Sequence, residues 1–352
     1  LTPSSTPCPS RSVLIDPMRR ALAALFSLSW FKRQDWASRT SQAVEQPLLS
    51  AEDITRLGQR LGGLMQPQST NPKDSAALKQ GEQASRYLGA GMEYEESRLY
   101  QPGDEVRRLN WRLMARTGEA YTQLYQESRQ ESWTLLVDLR QSMRFGTRCH
   151  LKATQAMRAA GYFAWQAQAQ GLPVRAVVLS HKVRISPTWE GSASFEPFMQ
   201  FVSQPCPPLN ASQVQQSPRL YDELIDLQAR SQPGDRLVVI SDFSDLDATT
   251  QTLMMTLQQT LLVQAVWVQD ASERQLPSMP GLRLHGQDGR AHALTPVLRA
   301  QYQAWSNHYF SDLEDRLRQS GVAWMTLDMC DRLPAMARSV AGMQAKMMER
   351  AR

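Results

Sequence analysis

The stretch WTLLVDLRQSM, residues 133–143, starts as a nearly unbroken apolar run and then sets Asp138, Arg140 and Ser142 at alternate positions. A run of this kind reads as a strand buried on both faces of a parallel sheet. Four more segments share the pattern: VRAVVLS (174–180), RLVVIS (236–241), LLVQAVWV (261–268) and VAWMTLD (322–328). Between them lie helical stretches such as KATQAMRAAGYFAWQAQAQ and RLYDELIDLQARS. Strands alternating with helices predict an α/β domain, a mainly parallel sheet with helices on both faces. HKVRISPTW and GLRLHGQDGRAHALT read as small antiparallel additions.

Open α/β sheets gather function where loops leave the carboxyl ends of the strands. Asp138, Asp242 and Asp270 each end an apolar segment, so the pattern puts all three on one rim. Aspartate is also a common turn and cap residue, which leaves each of them a structural reading.

Upstream, AEDITRLGQRLGGLM (51–65) spaces Ile54, Leu57, Leu61 and Leu64 as one helical face. QPQSTNPKDSAALKQGEQ reads as a polar linker, and GMEYEESRLY and AYTQLYQES as exposed strands. In QPGDEVRRLNWRLMART, Pro102 and Gly103 make a turn, Asp104 is the expected helix cap, and Val106, Leu109 and Leu113 form an apolar stripe. Arg107, Trp111 and Ala115 share a helix face, with Arg108, Arg112 and Arg116 beside it. That basic stripe reads either as a docking surface for an acidic partner or as solvated arginines. Trp111 is expected to pack on the main domain, with Arg107 paired to Asp104.

The expected division is an N-terminal extension over 1–80, partly disordered with short helices, and an arm over 81–130. The sheet domain follows over 131–330, and a C-terminal helix over 331–352. Within the extension, LTPSSTPCPSRSVLIDP is rich in proline and serine, and Met18 is a candidate start. The apolar segment ALAALFSLSWF (21–31) is too short for a bilayer, which takes about 20 residues. It reads as an amphipathic or packed helix, with a peripheral membrane contact as the alternative.

A hydrophobic fraction of 42% and a charged fraction of 21% over 352 residues are those of a globular protein. The net charge is +5, and arginine supplies most of the 39 basic residues. No arginine-rich tract or zinc-finger spacing points to nucleic acid. Cys8, Cys149, Cys206 and Cys330 are far apart, with no CxxC pair, and read as reduced thiols of a cytoplasmic protein. The five histidines show no HExxH spacing, and no GxxxxGK[ST] loop occurs. Cys149 next to His150 lacks the orienting third group of a nucleophilic dyad. Asp270 and Glu273 read as cap residues or as acid/base carboxylates.

YQPGDEVRRLNWRLMARTG, WTLLVDLRQSMRFGT, LVVISDFSDLD and VQDASERQLP, in this order, resemble the bacterial family catalogued as domain of unknown function fifty-eight. The matching positions of its first motif are Tyr100, Pro102, Gly103, Asp104, Arg107, Trp111, Ala115 and Arg116, and the likeness covers about residues 85–280. The resemblance implies a von Willebrand factor A-like domain and a non-enzymatic partner-binding role beside a MoxR-type AAA+ ATPase and its client proteins. That role is chaperone-like, in protein maturation or cell-envelope maintenance. The wider fold binds Mg²⁺ through an Asp-x-Ser-x-Ser loop, a threonine and a second aspartate. Asp138, Ser142 and Asp242 match that set; Arg140 stands at the middle serine, and Ser217 is only a loose counterpart of the threonine.

Arginine has five donors and no acceptor, so it cannot ligate a cation. Its guanidinium is expected to bridge Asp138 and Asp242, leaving a degenerate MIDAS-like site that binds Mg²⁺ weakly or not at all. The alternative is an Arg140 that points outward. A metal-dependent hydrolase using Asp138 and Asp242 and a membrane-peripheral scaffold are the competing functions. The expected location is cytoplasmic, up to the inner face of the cytoplasmic membrane.

Overall fold

The computed structural model describes residues 47–65, 88–101, 106–126, 131–147, 149–207, 209, 211–278, 283–285 and 291–351. Helix α1 (Ala51–Met65) opens them, with Ser50 and Asp53 exchanging hydrogen bonds at its start. Strands β1 (Leu88–Leu99) and β2 (Tyr121–Gln126) form an antiparallel arm around the short helix α2 (Trp111–Thr117). The sheet domain runs β3 (Trp133–Asp138), α3 (Lys152–Ala169), β4 (Val174–Leu179), β5 (Val183–Ile185), α4 (Phe195–Val202), α5 (Ala211–Gln215) and α6 (Leu220–Arg230). It continues with β6 (Arg236–Ser241), α7 (Ala248–Leu257), β7 (Leu262–Gln269) and α8 (Ala271–Arg274). A small hairpin, β8 (Arg283–His285) with β9 (Ala291–Ala293), precedes α9 (Pro296–Gln319), β10 (Ala323–Asp328) and α10 (Leu333–Ala351).

The central sheet has the order β10-β7-β6-β3-β4-β5, and its strands are parallel except for the antiparallel edge strand β5. All five apolar segments are strands; four are buried on both faces, and β10, at the sheet edge, buries alternate residues. Alternate residues feed two cores. Trp133, Leu135 and Val137 pack with α1, α3, α4 and α10, while Leu136 faces α6, α7 and α9. Ile54, Leu57 and Leu61 of α1 are buried in the first of these, whereas Leu64 is exposed. The approach of α1 is close: a Cβ on Gly161 would meet Met199 Sδ at 2.9 Å and Leu57 Cδ2 at 3.0 Å. Met336 and Met343 of α10 are buried in the same core, a packing role.

From β3 the chain moves one way to β4 and then returns to the other side of β3 for β6. That reversal opens a crevice at the carboxyl ends of β3 and β6, the usual ligand position in open α/β sheets. A mainly parallel sheet covered on both faces, with its switch point between these two strands, is the von Willebrand factor A-like architecture that the motifs imply.

The arm differs from expectation. Residues 106–108 form a 3-10 turn rather than the start of a helix through Leu113. Asn110 caps α2, its side chain accepting from Leu113 N–H and its Nδ2 donating to Ser97 Oγ at 3.0 Å. Asp104, the expected cap, lies with Pro102 and Gly103 outside the described residues, as do ALAALFSLSWF and the polar linker. Because the helix begins only at Trp111, that ring projects from the first turn and is 60% exposed, not packed on the main domain.

Candidate functional site

Asp138 closes β3, Asp242 follows β6 and Asp270 follows β7, so neighbouring parallel strands deliver all three to one rim. Asp138 is fully buried. Its Oδ1 accepts from Arg140 N–H and Nε, both at 3.0 Å, and its Oδ2 from Arg140 Nη2 at 2.7 Å and Ser241 Oγ at 2.6 Å. The other side of the guanidinium binds Asp245, with Nη1–Oδ2 2.5 Å and Nη2–Oδ1 2.9 Å, and Nη1 also meets Pro218 O at 3.4 Å. Arg140 therefore bridges Asp138 to Asp245, and not to Asp242 as the alternate spacing suggested. Burial would lower its pKa, but the two carboxylates hold it well above the ordinary value.

Asp242 has a cation of its own. Lys152, the first residue of α3 and almost fully buried, donates from Nζ to Asp242 Oδ2 at 2.9 Å and to Glu273 Oε1 at 2.6 Å. Burial alone would raise the Asp242 carboxyl, yet Lys152, with Arg140 and Ser142 behind it, holds it down to about 2. Burial pushes Glu273 up, and the nearby Asp242 charge adds to this against the pull of Lys152. Phe243 adopts the left-handed region (φ 53°), uncommon for a bulky side chain. The turn lets Ser244 N–H reach Asp242 Oδ1 at 3.1 Å. It also leads the chain to Asp245, where Oδ2 accepts from Leu220 N–H at 2.9 Å.

The remaining candidates sort plainly. Ser142 Oγ accepts from Ser244 Oγ at 3.4 Å, at the mouth of the crevice. Ser217 donates to Gln213 O at 2.8 Å, which is a helix-end bond and not a ligand geometry. Asp270 and Glu273 form a capping box on α8. Thr147 comes to Asp270 by its N–H at 2.8 Å and its Oγ1 at 2.7 Å, and with Ser272 it keeps that carboxyl low against burial. Gly146 permits this loop, since a Cβ there would sit 2.1 Å from His150 O. Tyr100 is half-buried at the base of the arm, and its N–H donates to Ala120 O. Arg107, Arg112 and Arg116 are exposed. Arg108 ends the 3-10 turn, and its side chain is outside what is described.

One more expectation changes. Cys149 and Cys330 are joined in a disulfide with Cα atoms 5.5 Å apart, so they are not free thiols; Cys206 is unbridged. Both follow strand-end loops on the same rim, and a separation of 181 residues hides this in the sequence. The residues also do not fit Mg²⁺ as they stand. A hard cation wants an octahedral set of oxygens. Here both Asp138 oxygens are taken by Arg140, and Lys152 lies on Asp242. Among the described residues no group of three or more His, Cys, Asp or Glu is placed to hold a metal.

Sequence reasoning did not find Lys152, Asp245 or Thr147. Lys152 reads as an ordinary first-turn residue, and Asp245 as one more polar residue of DFSDLD.

Fold and rim together define a von Willebrand factor A-like domain whose rim aspartates Asp138 and Asp242 are ion-paired with Arg140 and Lys152. The chain belongs to the family described as "Protein of unknown function DUF58", whose model matches residues 96–308. Two curated proteins, "Uncharacterized protein Mb1516" of Mycobacterium bovis and "Uncharacterized protein Rv1480" of Mycobacterium tuberculosis, are each 47% identical to it over 73 residues. The match covers 20% of this chain and 23% of each relative. Among solved structures, the conserved hypothetical protein BatB from Bacteroides thetaiotaomicron is similar at 13% identity and a TM-score of 0.39, over 62% of this chain and 99% of that one. A von Willebrand factor type A structure from Catenulispora acidiphila is similar at 9% identity and a TM-score of 0.33, over 64% and 43%.

Proposed function

We propose that the protein is a non-enzymatic interaction module, an adaptor or co-chaperone for a MoxR-type AAA+ ATPase and its clients in protein maturation or cell-envelope maintenance. The observation that carries this reading is the outward turn of the arm. Leu99, Val106 and Trp111 are all more than half exposed, next to the exposed Arg107, Arg112 and Arg116. Exposed apolar side chains in one segment call for a covering partner. Tryptophan and arginine are the residues that most often dominate binding energy at interfaces.

The rim supports a binding role over a hydrolytic one. Asp138 and Asp242 are each held by a cation, so neither is a ready general base or metal ligand. Nucleotide hydrolysis falls to the ATPase. Among the described residues no helix is long and apolar enough to cross a membrane. We place the protein in the cytoplasm, with the inner face of the cytoplasmic membrane as the alternative. The Cys149–Cys330 bond argues the other way, since disulfides are rare in reducing compartments.

The test is calorimetric titration with the purified MoxR-type ATPase of the same genome. Trp111→Ala should weaken binding by about 2 kcal/mol or more, as interface anchors do, and leave the thermal midpoint unchanged. A lowered midpoint with unaltered binding would return Trp111 to a packing role.

A further inference from the structure

A cavity of about 780 Å³ lies between α1, the start of α3 and the β10–α10 loop, within the range of about 300–1,000 Å³ typical of ligand pockets. The Cys149–Cys330 bond joins two of its walls, so a covalent tie holds its shape. Arg56 and Arg60 of α1, Arg158 of α3 and Arg332 before α10 line it, with the apolar Leu57 and Met336. His150 lines it too; burial, and after it the Arg158 charge, lowers its pKa, so it adds no charge above neutral pH.

The acids of this region are already engaged. Glu52 pairs with Arg56. Asp53 accepts from Ser50 N–H at 3.2 Å and from Ser50 Oγ at 2.7 Å. Asp331 accepts from Asp328 N–H, and Asp328 from Cys330 N–H, both at 2.9 Å. Four acids against four arginines leave no net charge, but the pairing is incomplete. Among the described residues, the side chains of Arg60, Arg158 and Arg332 form no ion pair and no hydrogen bond. Arg158 is half-buried: burial lowers its pKa, Asp53 pulls the other way, and the like charge of Arg60 lowers it again. Arg140 on the rim, by contrast, has two carboxylates to itself. A charge drawn partly out of water is costly unless something pairs with it.

We propose that this cavity binds a small molecule carrying a diphosphate, its phosphoryl oxygens held by Arg158, Arg60 and Arg332. The guanidinium fork matches phosphate oxygens in paired, charge-assisted hydrogen bonds. The three unengaged guanidinia stand on three elements around a cavity larger than one phosphate fills, which suits two linked phosphoryl groups. Leu57 and Met336 give the organic part of such a molecule an apolar surface. None of the arm residues lines the cavity, so the inference stands apart from the proposed ATPase contact.

The experiment is calorimetric titration of the full chain with pyrophosphate, without Mg²⁺ and at fixed ionic strength. Inorganic phosphate, citrate and N-acetyl-phosphoserine N-methylamide are the comparisons. Pyrophosphate should saturate one site, and each comparison should bind more weakly. Arg158→Gln should weaken pyrophosphate about tenfold or more, the loss of charge-assisted hydrogen bonds from a partly buried donor. Arg60→Gln, at an exposed position of α1, should weaken it about twofold to fivefold, the span of an exposed charge contact. Thermal melts show that both variants fold, and Arg60→Gln keeps the test open if Arg158→Gln does not. No saturable heat from pyrophosphate, or indifference to the substitutions, would overturn the assignment. Citrate binding as tightly would overturn it in favour of a carboxylate site. Inorganic phosphate or the blocked phosphoserine binding as tightly would overturn the diphosphate, in favour of the free ion or of a phosphorylated peptide.

Discussion

Arg140→Met should destabilise the protein by about 3–5 kcal/mol, the cost of leaving one charge of a buried pair behind. The magnitude follows from what remains. Asp138 is fully buried and would keep only the Ser241 hydroxyl and the residue-140 N–H. Asp245 is about a quarter exposed and would recover water, so most of the loss belongs to Asp138. For a domain of 150–250 residues, at about 2–4 °C per kcal/mol, the midpoint should fall by about 6–20 °C. Circular dichroism melts with a parallel urea titration at pH 7 measure it. Replacing both partners, Arg140→Met with Asp138→Asn, should recover part of the loss, because no unpaired buried charge is left. The reasoning fails if the single variant stays within about 0.5 kcal/mol of wild type, the size of an ordinary surface change. It fails equally if the double variant is no more stable than the single.

Cys149→Ser should cost about 2–4 kcal/mol in an oxidised sample, where the bond closes a long loop. In reductant the variant and the wild type should melt together, and labelling of one thiol per oxidised chain at Cys149 would contradict the pairing. Asp247 accepts from Thr250 N–H and Oγ1 and from Thr249 Oγ1 at the start of α7, which lowers its carboxyl against burial. Its contribution is therefore present above the ordinary carboxylate range and fades as pH falls through that range towards the folded value. Asp247→Ala should cost about 1 kcal/mol at neutral pH and progressively less in acid, so a pH-independent difference would exclude the capping explanation.

Strand positions were legible because each core strand is apolar on both faces, a pattern that needs no partner to be recognised. Asp138, Asp242 and Asp270 were legible for the same reason: parallel strands carry their ends to one rim. Their partners were not. Lys152 meets Asp242 across 90 residues of chain, Arg140 meets Asp245 across 105, and Thr147 meets Asp270 across 123. Nothing local marks such pairs, because the switch point that joins them is a property of strand order. Trp111 was misplaced for a different reason. Helical spacing was extended back through Arg107, although Asn110, a good cap residue, already marked a fresh start one position before the ring.

Calorimetric titration with Mg²⁺ tests the central claim, that Arg140 and Lys152 fill the place of the metal. The wild type should give no saturable heat. Arg140→Ser alone should gain little, because Lys152 still holds Asp242. Only Arg140→Ser combined with Lys152→Ala frees both carboxylates beside Ser142, and that variant should bind. Saturable, high-affinity Mg²⁺ binding by the wild type would contradict the account directly, since it would require both cations to leave the carboxylates they hold.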